Sequence, residues 1–270
     1  MEVLLLEERD ADQMQWEALV RPGGKLSPGE ELLDNAGSVM LRIGQRTDAG
    51  DTFFVQFVAR THEEMMQRIM EGGEMPLPPY ITTALVDQSR YQTVFAHDQK
   101  SSAAPTAGLH FTPELLARIR EAGVEIREVE LVVGLDTFKP ISVDNPLDHL
   151  IHTESYRVPQ STMTACHDAH SRGSRVIAIG TTATRALESV PKFGQLEGRT
   201  NLFITPGYEW KVVDMMMTNF HMPRTTLLLM IQSFVGTRWR KLYEEAIDRE
   251  YRMLSFGDAM LLALRNEEKR

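Results

Sequence analysis

The sequence contains a single cysteine, Cys166, among its 270 residues. One cysteine excludes an internal disulfide and any zinc site built from several thiolates. The longest apolar runs, residues 3–6 and 227–231, are too short to cross a bilayer. The opening MEVLLLEERD has no basic segment ahead of its short apolar run, which argues against a secretory signal. These absences predict a cytoplasmic protein with no membrane association, and the sequence implies no obligate protein partner.

Basic residues are in the minority. The chain has 29 Lys and Arg against 38 Asp and Glu, a net charge of −9. This balance argues against a broadly cationic surface for nonspecific nucleic acid binding, but it allows a local basic patch on an acidic body. Hydrophobic residues at 42% and charged residues at 25% exclude a disordered or fibrous chain.

The first part of the chain carries short apolar or alternating runs separated by turn-rich segments. Such a pattern is typical of a small antiparallel barrel or sandwich. Because the first strand starts at residue 1, we expect the β-barrel to be incomplete. A short helix over residues 61–73 should follow it. The predicted strands cover residues 1–6, 16–20, 39–43 and 53–58.

The proline-rich segment at 75–80 can form neither a helix nor a central strand. We therefore place there the boundary between a domain of residues 1–75 and a catalytic domain of residues 76–270. In the second domain, strand and helix patterns alternate, which predicts α/β architecture with a largely parallel or mixed sheet and flanking helices. Predicted strands cover 124–133, 175–179 and 201–205, and predicted helices cover 112–123, 161–173, 180–189, 227–234 and 238–252.

The segment SSAAPTAGLHFT at 101–112 is the first candidate site. Its small residues would let a ligand approach the backbone closely, and the capped helix after Thr112 offers free amide groups to an anion. His110 is its one titratable side chain, and Pro105, Thr106 and Gly108 complete the motif. A tight connection without a ligand explains the composition equally well.

A second candidate is GTTATR at 180–185, which follows the apolar strand RVIAI. Strand, glycine and helix in succession is a common geometry for a nucleotide or anionic ligand. Neither the dinucleotide fingerprint nor the P-loop pattern is present. Taken alone, an ordinary turn with threonines at the helix start accounts for it.

The segment DHLIHTE at 148–154 places His149 and His152 three residues apart, on one face of a helix, with Glu154 two residues on. These three side chains suit a divalent metal or acid–base work on a polar substrate. A solvated helix end is the simpler alternative.

In TNFHMP at 218–223, Phe220 could stack on a base and Asn219 could bind a base edge, although a core phenylalanine is the commoner outcome. His221 lies where the chain turns toward an apolar helix. The Met215–Met217 run is most simply core filling. Cys166 and two nearby histidines lie on a polar, exposed helix and are rejected as metal ligands.

Together these segments resemble the S-adenosylmethionine:tRNA ribosyltransferase-isomerase family of queuosine biosynthesis. PTAGLHF, GTT-x-x-R-x-LES and TNFH-x-P form a specific signature, and residues 1–75 match more loosely. The matching stretches are LPPY (77–80), RYQTVF (90–95), AAPTAGLHFT (103–112), GLDTFKPI (134–141), DHLIHTE (148–154), RVIAIGTTATRALES (175–189), PGYEWKVVD (206–214), TNFHMP (218–223) and SFGDAML (255–261).

The resemblance implies transfer and isomerisation of the ribosyl unit of S-adenosylmethionine onto 7-aminomethyl-7-deazaguanine at a tRNA wobble position. Epoxyqueuosine, adenine and methionine are the products. It implies S-adenosylmethionine as co-substrate and no metal. The resemblance implies an acid–base set of His110, His152, Glu154 and His221. Thr181, Thr182 and Arg185 would bind the carboxylate or the ribose of S-adenosylmethionine, and Asn219 and Phe220 would contact a base. Pro105, Thr106 and Gly108 would line the substrate.

The implied partner is a tRNA anticodon loop, whose base must leave its stack to react. Local basic side chains should contact its phosphates, each adding to the salt dependence of binding. The candidates are Arg118, Arg120, Arg127, Arg224, Arg238, Arg240 and Lys241.

The chain departs from the family at several points. The family has a segment ahead of the position of Met1, so we expect a fragment, a truncated product or a shortened relative. Val132 replaces a histidine, Asp136 a glycine, and residues 100–102 a glycine-led stretch. A noncatalytic or divergent relative that binds RNA or S-adenosylmethionine is therefore the alternative function. A methyltransferase is disfavoured, because its glycine-rich first loop is not found.

Overall fold

A computed structural model describes most of the chain. The described residues are 1–24, 26–34, 36–47, 50, 52–74, 76–78, 80–83, 85–96, 104–132, 145–146, 151 and 153–264. They form two compact units, which divide between Gln88 and Ser89. The proline-rich segment at 75–80 therefore lies inside the first unit.

The first unit is built on one antiparallel sheet of five strands in the order β1-β2-β5-β4-β3. The four predicted strands are confirmed, and the short β3 is an addition. Side chains alternate between the two faces, so Ala18 and Val20 are buried while their neighbours are less so. The strands are β1 (Glu2–Asp10), β2 (Gln15–Arg21), β3 (Glu31–Leu33), β4 (Val39–Arg46) and β5 (Phe53–Phe57).

Helix α1 (His62–Gly72) confirms the predicted helix after the sheet. Its start is set by Thr61, whose side chain accepts a hydrogen bond from the Glu64 amide at 3.1 Å. Met65 is fully buried on the core of this unit.

The second unit contains two three-stranded sheets, β11-β10-β8 and β6-β7-β9. Its strands are β6 (Glu130–Val132), β7 (Glu154–Arg157), β8 (Ile177–Ile179), β9 (Glu197–Thr200), β10 (Met215–Asn219) and β11 (Ala259–Ala263). Its helices are α2 (Pro113–Glu121), α3 (Gln160–Ser171), α4 (Gly180–Phe193), α5 (Thr226–Val235) and α6 (Trp239–Asp248). Short 3-10 turns cover Gln88–Tyr91, Thr106–His110 and Gly236–Arg238.

Among the described strands of this unit only β8 and β10 pair in parallel, and the other pairs are antiparallel. The architecture is mixed α/β, so of the two expected sheet types the mixed one is present and the largely parallel one is not. The alternation of helices and strands does not predict the sheet here, because β9 pairs with β7 in the other sheet and does not extend the sheet that contains β8.

Several local expectations are also corrected. Residues 201–205 are not a strand: β9 ends at Thr200, and Leu202 and Ile204 are buried without strand pairing. The methionine run, in contrast, agrees with its prediction as core filling: it forms the central strand β10, with Met216 fully buried in the core. Only residues 130–132 of the predicted strand at 124–133 are paired in the described part of the chain.

Helix starts in this unit follow local chemistry. The Thr112 side chain accepts from the Leu115 amide at 3.2 Å with proline at the first helical position, as expected. Gly180 has φ +92°, which permits the abrupt change from β8 into α4. Thr225 caps α5 in the same manner as Thr112 caps α2. In the core of the unit, α4 packs against β8 and β10, and α5 packs against β11.

The helices within the described ranges are too short, or too polar, for any of them to traverse a membrane.

Candidate functional site

Three of the sequence motifs meet at one edge of the β11-β10-β8 sheet. Met217 pairs with Ile179, so the carboxyl ends of the parallel strands β10 and β8 are adjacent. Asn219 ends β10, and α4 begins directly after β8. The 3-10 turn Thr106–His110 contacts both β10 and α4. This is the edge at which open α/β sheets bind ligands.

His110 is joined to this edge through the amide of Asn219. Its Nε2 lies 3.0 Å from Asn219 Nδ2, which also donates to the Leu254 carbonyl at 3.1 Å. The Thr106 hydroxyl lies 3.4 Å from Asn219 Oδ1. Asn219 is only 2% exposed, so its amide is committed to these three partners.

Electrostatics favour a neutral His110. Burial lowers the pKa of its imidazole, Asp258 opposes this shift, and Arg252 adds to it. The Arg252 guanidinium and amide both donate to the Asp258 carboxylate, at 3.1 and 2.8 Å, which offsets part of that negative charge. At neutral pH the ring therefore acts as one donor and one acceptor.

Gly108 and Pro105 shape the backbone around His110. Gly108 is buried, and a Cβ there would lie 3.0 Å from Thr93 Cγ2. A side chain at this position would push the turn away from its support. Pro105 precedes the turn and donates no amide hydrogen bond.

A small pocket lies beside the start of α4. Its lining includes Thr181, Thr182 and Arg185 of α4, and Thr226 and Leu227 at the start of α5. Ile151, Leu202, Phe203, Ile204 and Met230 complete the wall. Its volume of about 20 Å³ is on the scale of one water molecule, so it suits one polar group of a ligand.

Arg185 in this pocket forms an ion pair with Glu154, the first residue of β7. Both side chains are largely buried, at 11% and 5% exposed. Burial lowers the pKa of Arg185 to about 10, so it remains charged at neutral pH. The structure thus places Glu154 on a strand beside Arg185, in the sheet other than that of Asn219.

His221 is held by two hydrogen bonds. Its Nε2 lies 2.9 Å from the Thr218 hydroxyl, and its amide donates to the Tyr243 hydroxyl at 3.0 Å. Burial of the ring lowers the pKa to about 4, so His221 is neutral at pH 7. A neutral imidazole with so low a pKa is a weak proton acceptor.

Phe220 lies in the core rather than at a surface. It is 4% exposed, with Tyr243 and Tyr251 packed edge-to-face at centroid distances of 5.4 and 5.8 Å. Its carbonyl accepts from the Leu254 amide at 3.0 Å, which ties it to the same loop as Asn219.

Sequence reasoning missed several residues of this site. Leu254 contributes its backbone amide and carbonyl, and Tyr243 contributes a hydroxyl from α6. Asp258 lies in the SFGDAML stretch, so the family match was a signal that was available. His152 and His149 lie outside the described residues, as do Asp136 and residues 100–102.

The described part of the chain contains no group of three or more metal-ligating side chains. Cys166 is buried, and burial and the Asp214 charge raise the pKa of its thiol. His170 instead bonds the Asp214 carboxylate at 2.9 Å.

Comparison with known proteins places these motifs in one family. Residues 1–262 match the family described as queuosine biosynthesis protein. An S-adenosylmethionine:tRNA ribosyltransferase-isomerase from Moorella thermoacetica is 43% identical over 268 residues, which cover 97% of this chain and 77% of the relative. The enzyme of the same name from Acaryochloris marina is 44% identical over 269 residues, covering 97% and 72%. The S-adenosylmethionine tRNA ribosyltransferase of Thermotoga maritima, known from a crystal structure, is 33% identical in sequence. The match covers 96% of this chain and 73% of the Thermotoga chain, with a TM-score of 0.49.

Proposed function

The chain belongs to the S-adenosylmethionine:tRNA ribosyltransferase-isomerase family, the queuosine biosynthesis proteins, and from that premise we propose its reaction and the roles of its residues. It transfers and isomerises the ribosyl unit of S-adenosylmethionine onto 7-aminomethyl-7-deazaguanine at the tRNA wobble position. Epoxyqueuosine forms, and adenine and methionine leave. The high identity to enzymes of this name supports a catalytic chain over a noncatalytic relative or a methyltransferase.

The observation that carries the proposal is the meeting of three motifs at the carboxyl ends of β8 and β10. The reaction requires a base near the C5′ hydrogens, which the sulfonium acidifies, and a hydrogen bond to the departing purine. It also requires the aminomethyl nitrogen to be neutral and held in line for attack. Polar groups in a partly buried edge can supply these without a metal.

In this proposal the pocket beside the start of α4 takes the carboxylate of the amino acid end of S-adenosylmethionine, and the ammonium group lies at its mouth. That end carries a carboxylate and an ammonium group, and the wall carries a buried arginine paired with a buried glutamate. Arg185 binds the carboxylate, with Thr181 and Thr182 donating hydroxyl hydrogen bonds. Glu154 holds Arg185 in place and balances the ammonium charge. Its main role in this proposal is therefore electrostatic, and proton transfer is secondary.

The histidines take separate roles. His110 faces the reacting part of the nucleoside from the turn that Pro105, Thr106 and Gly108 form. His221, with its pKa near 4, supports the edge as a neutral hydrogen-bonding group. His152 completes the acid–base set on the family resemblance alone. Asn219 orients His110, and Phe220 supports the base site from within the core.

The tRNA anticodon loop binds over this edge, in the cytoplasm where tRNA is modified. The seven candidate basic side chains are all exposed. Arg238, Arg240 and Lys241 are clustered at the start of α6, the helix whose Tyr243 bonds His221. Phosphate contacts from this group would bring the loop to the site despite the net charge of −9.

The test is a product assay with the purified chain, S-adenosylmethionine and tRNA that carries 7-aminomethyl-7-deazaguanine. We expect adenine and methionine in equal amounts, with epoxyqueuosine in the nuclease digest by mass spectrometry. Methylated tRNA, or binding of S-adenosylmethionine without release of adenine, would contradict the proposal.

The pocket assignment has its own variant. Thr181→Val keeps the shape of a buried side chain but removes its hydroxyl, so KM for S-adenosylmethionine should rise about 10-fold, the value of one hydrogen bond to a charged group. Thr184→Val on the same helix is the matched control, because the Thr184 hydroxyl bonds the Gly180 carbonyl at 2.9 Å and does not line the pocket. Equal KM values for the two variants would refute the assignment.

A further inference from the structure

We propose that Asn219 is a positioning residue that holds His110 as the Nδ1–H tautomer, so that His110 serves the reaction as a hydrogen-bond donor through Nδ1. The inference rests on the proposed function for the identity of the acceptor, which is the purine that gains negative charge as it leaves. The tautomer itself rests on the hydrogen-bond geometry.

The orientation of the Asn219 amide is decided by a neighbour that can only accept. The Leu254 carbonyl lies 3.1 Å from the amide end of Asn219, and a carbonyl has no hydrogen to donate. Turning the amide over would place two oxygens against each other. The NH2 group must therefore face Leu254, and the oxygen faces the Thr106 hydroxyl, which donates to it.

The Leu254 carbonyl is itself fixed. The Leu254 amide donates to the Phe220 carbonyl at 3.0 Å, and the residue has φ +70°, an unusual conformation for a leucine. Local strain of this kind persists only where the surroundings enforce it. The loop that carries Leu254 thus fixes the orientation of the Asn219 side-chain amide, and that amide in turn fixes the tautomer of His110.

The second hydrogen of the NH2 group points at His110. Since Asn219 Nδ2 donates, His110 Nε2 at 3.0 Å must accept, and the proton of the neutral ring lies on Nδ1. Protonation of Nε2 would set two N–H groups against each other, so the contact also opposes the imidazolium form. His110 is partly exposed, and within the described residues Nδ1 has no hydrogen-bond partner, which leaves it for a ligand.

The charged groups near His110 do not reverse this conclusion. Asp258 favours the imidazolium and Arg252 disfavours it, while the two form an ion pair with each other. Burial acts in the same direction as Asn219. A neutral donor at Nδ1 fits the leaving purine, whose ring nitrogens gain negative charge as the glycosidic bond breaks.

The tautomer can be measured without activity. The probe is the purified full chain labelled with ¹⁵N in its eight histidines, with His110→Gln used to assign the His110 signals. At pH 7.5 we expect a protonated-type nitrogen shift at Nδ1 of His110 and an unprotonated-type shift at Nε2. A protonated-type shift at Nε2 would overturn the inference.

Asn219→Asp is the decisive variant. A carboxylate accepts from Nε2–H, so the tautomer should invert and the pKa of His110 should rise by about one to two units. Asn201→Asp, which makes the same change at an exposed position, should leave the His110 titration unchanged. If Asn219→Asp does not fold, Asn219→Ala removes the donor, and a mixture of tautomers with a smaller rise in pKa is then expected.

An unchanged His110 titration in a folded Asn219 variant would refute the positioning role. Failure of the proposed function looks different, because the wild-type tautomer would be as described while no adenine was released. In an active enzyme, kcat of Asn219→Asp should fall as the pH rises through the His110 pKa, because the neutral ring of this variant lacks Nδ1–H while its imidazolium retains it; a merely structural role would not produce this dependence.

Discussion

Replacing Glu188 with alanine should destabilise the second unit strongly, although Glu188 contacts no proposed ligand. Its carboxylate is fully buried. One oxygen accepts from the amides of Val212 and Val213, both at 2.9 Å, and the other from the Lys211 amide and the Tyr208 hydroxyl, both at 3.1 Å. A single side chain thus anchors the loop that leads into β10.

The magnitude follows from the donors left behind. Val212 and Val213 are buried, so their amides would lack both an acceptor and water, at about 1–3 kcal/mol each. Relief from burying a carboxylate offsets part of this. We expect a net loss of about 2–4 kcal/mol for Glu188→Ala. Glu188→Gln keeps one acceptor oxygen for both valine amides and should lose about half as much.

Urea unfolding followed by tryptophan fluorescence measures this loss. Trp210 lies in the anchored loop, with Phe234 at a centroid distance of 4.7 Å, so its emission reports local packing. The midpoint should fall in the order wild type, Gln, Ala with an unchanged slope. A loss below 1 kcal/mol for Glu188→Ala, or equal losses in both variants, would refute the reasoning. KM for S-adenosylmethionine should change little while the variants are folded.

Two further outcomes are expected. Burial lowers the pKa of His221 to about 4 in the folded chain, against an ordinary value of 6.5. Between these two pH values the unfolded chain binds one more proton than the folded chain. The contribution of His221 to the free energy of unfolding is therefore complete above pH 6.5 and falls by up to about 3 kcal/mol as the pH drops to 4. His221→Gln should flatten that part of the profile in urea unfolding at pH 7 and 4.5, and an unaltered difference between the two pH values would contradict it. Gly257→Ala should lower the free energy of unfolding by about 1–3 kcal/mol, because a Cβ there would lie 2.3 Å from the Arg252 carbonyl oxygen. Gly72→Ala is the control: a Cβ at Gly72 would meet open space, so this variant should be close to neutral in thermal unfolding.

Much of the local structure could be read from sequence because its causes are local. Thr61 and Thr112 cap helices through hydrogen bonds to amides three residues on. Alternating side chains predicted the strands of the first unit. The strand and glycine ahead of Thr181 predicted where α4 starts.

The residue types of the site were also available from sequence. Motifs with several polar residues in fixed order identified the family, and His110, Arg185 and Asn219 were chosen from them. Their partners were not, since a hydrogen bond to the Leu254 carbonyl depends on backbone position and leaves no trace in residue identity. For the same reason, the ion pair between Glu154 and Arg185 was not predicted.

Sequence by itself therefore determined the capped helices, the short strands, the family and the chemical groups at hand. Tertiary structure alone decided the direction and the sheet of each strand. Met216 lies in the central strand of the mixed sheet β11-β10-β8, whereas β9 belongs to the sheet β6-β7-β9. Tertiary structure also decided which nitrogen of His110 faces Asn219 and how far burial lowers the pKa of His221. The physical reason is range: caps and alternation act over a few residues, whereas strand pairing, desolvation and amide orientation depend on groups brought together from distant parts of the chain.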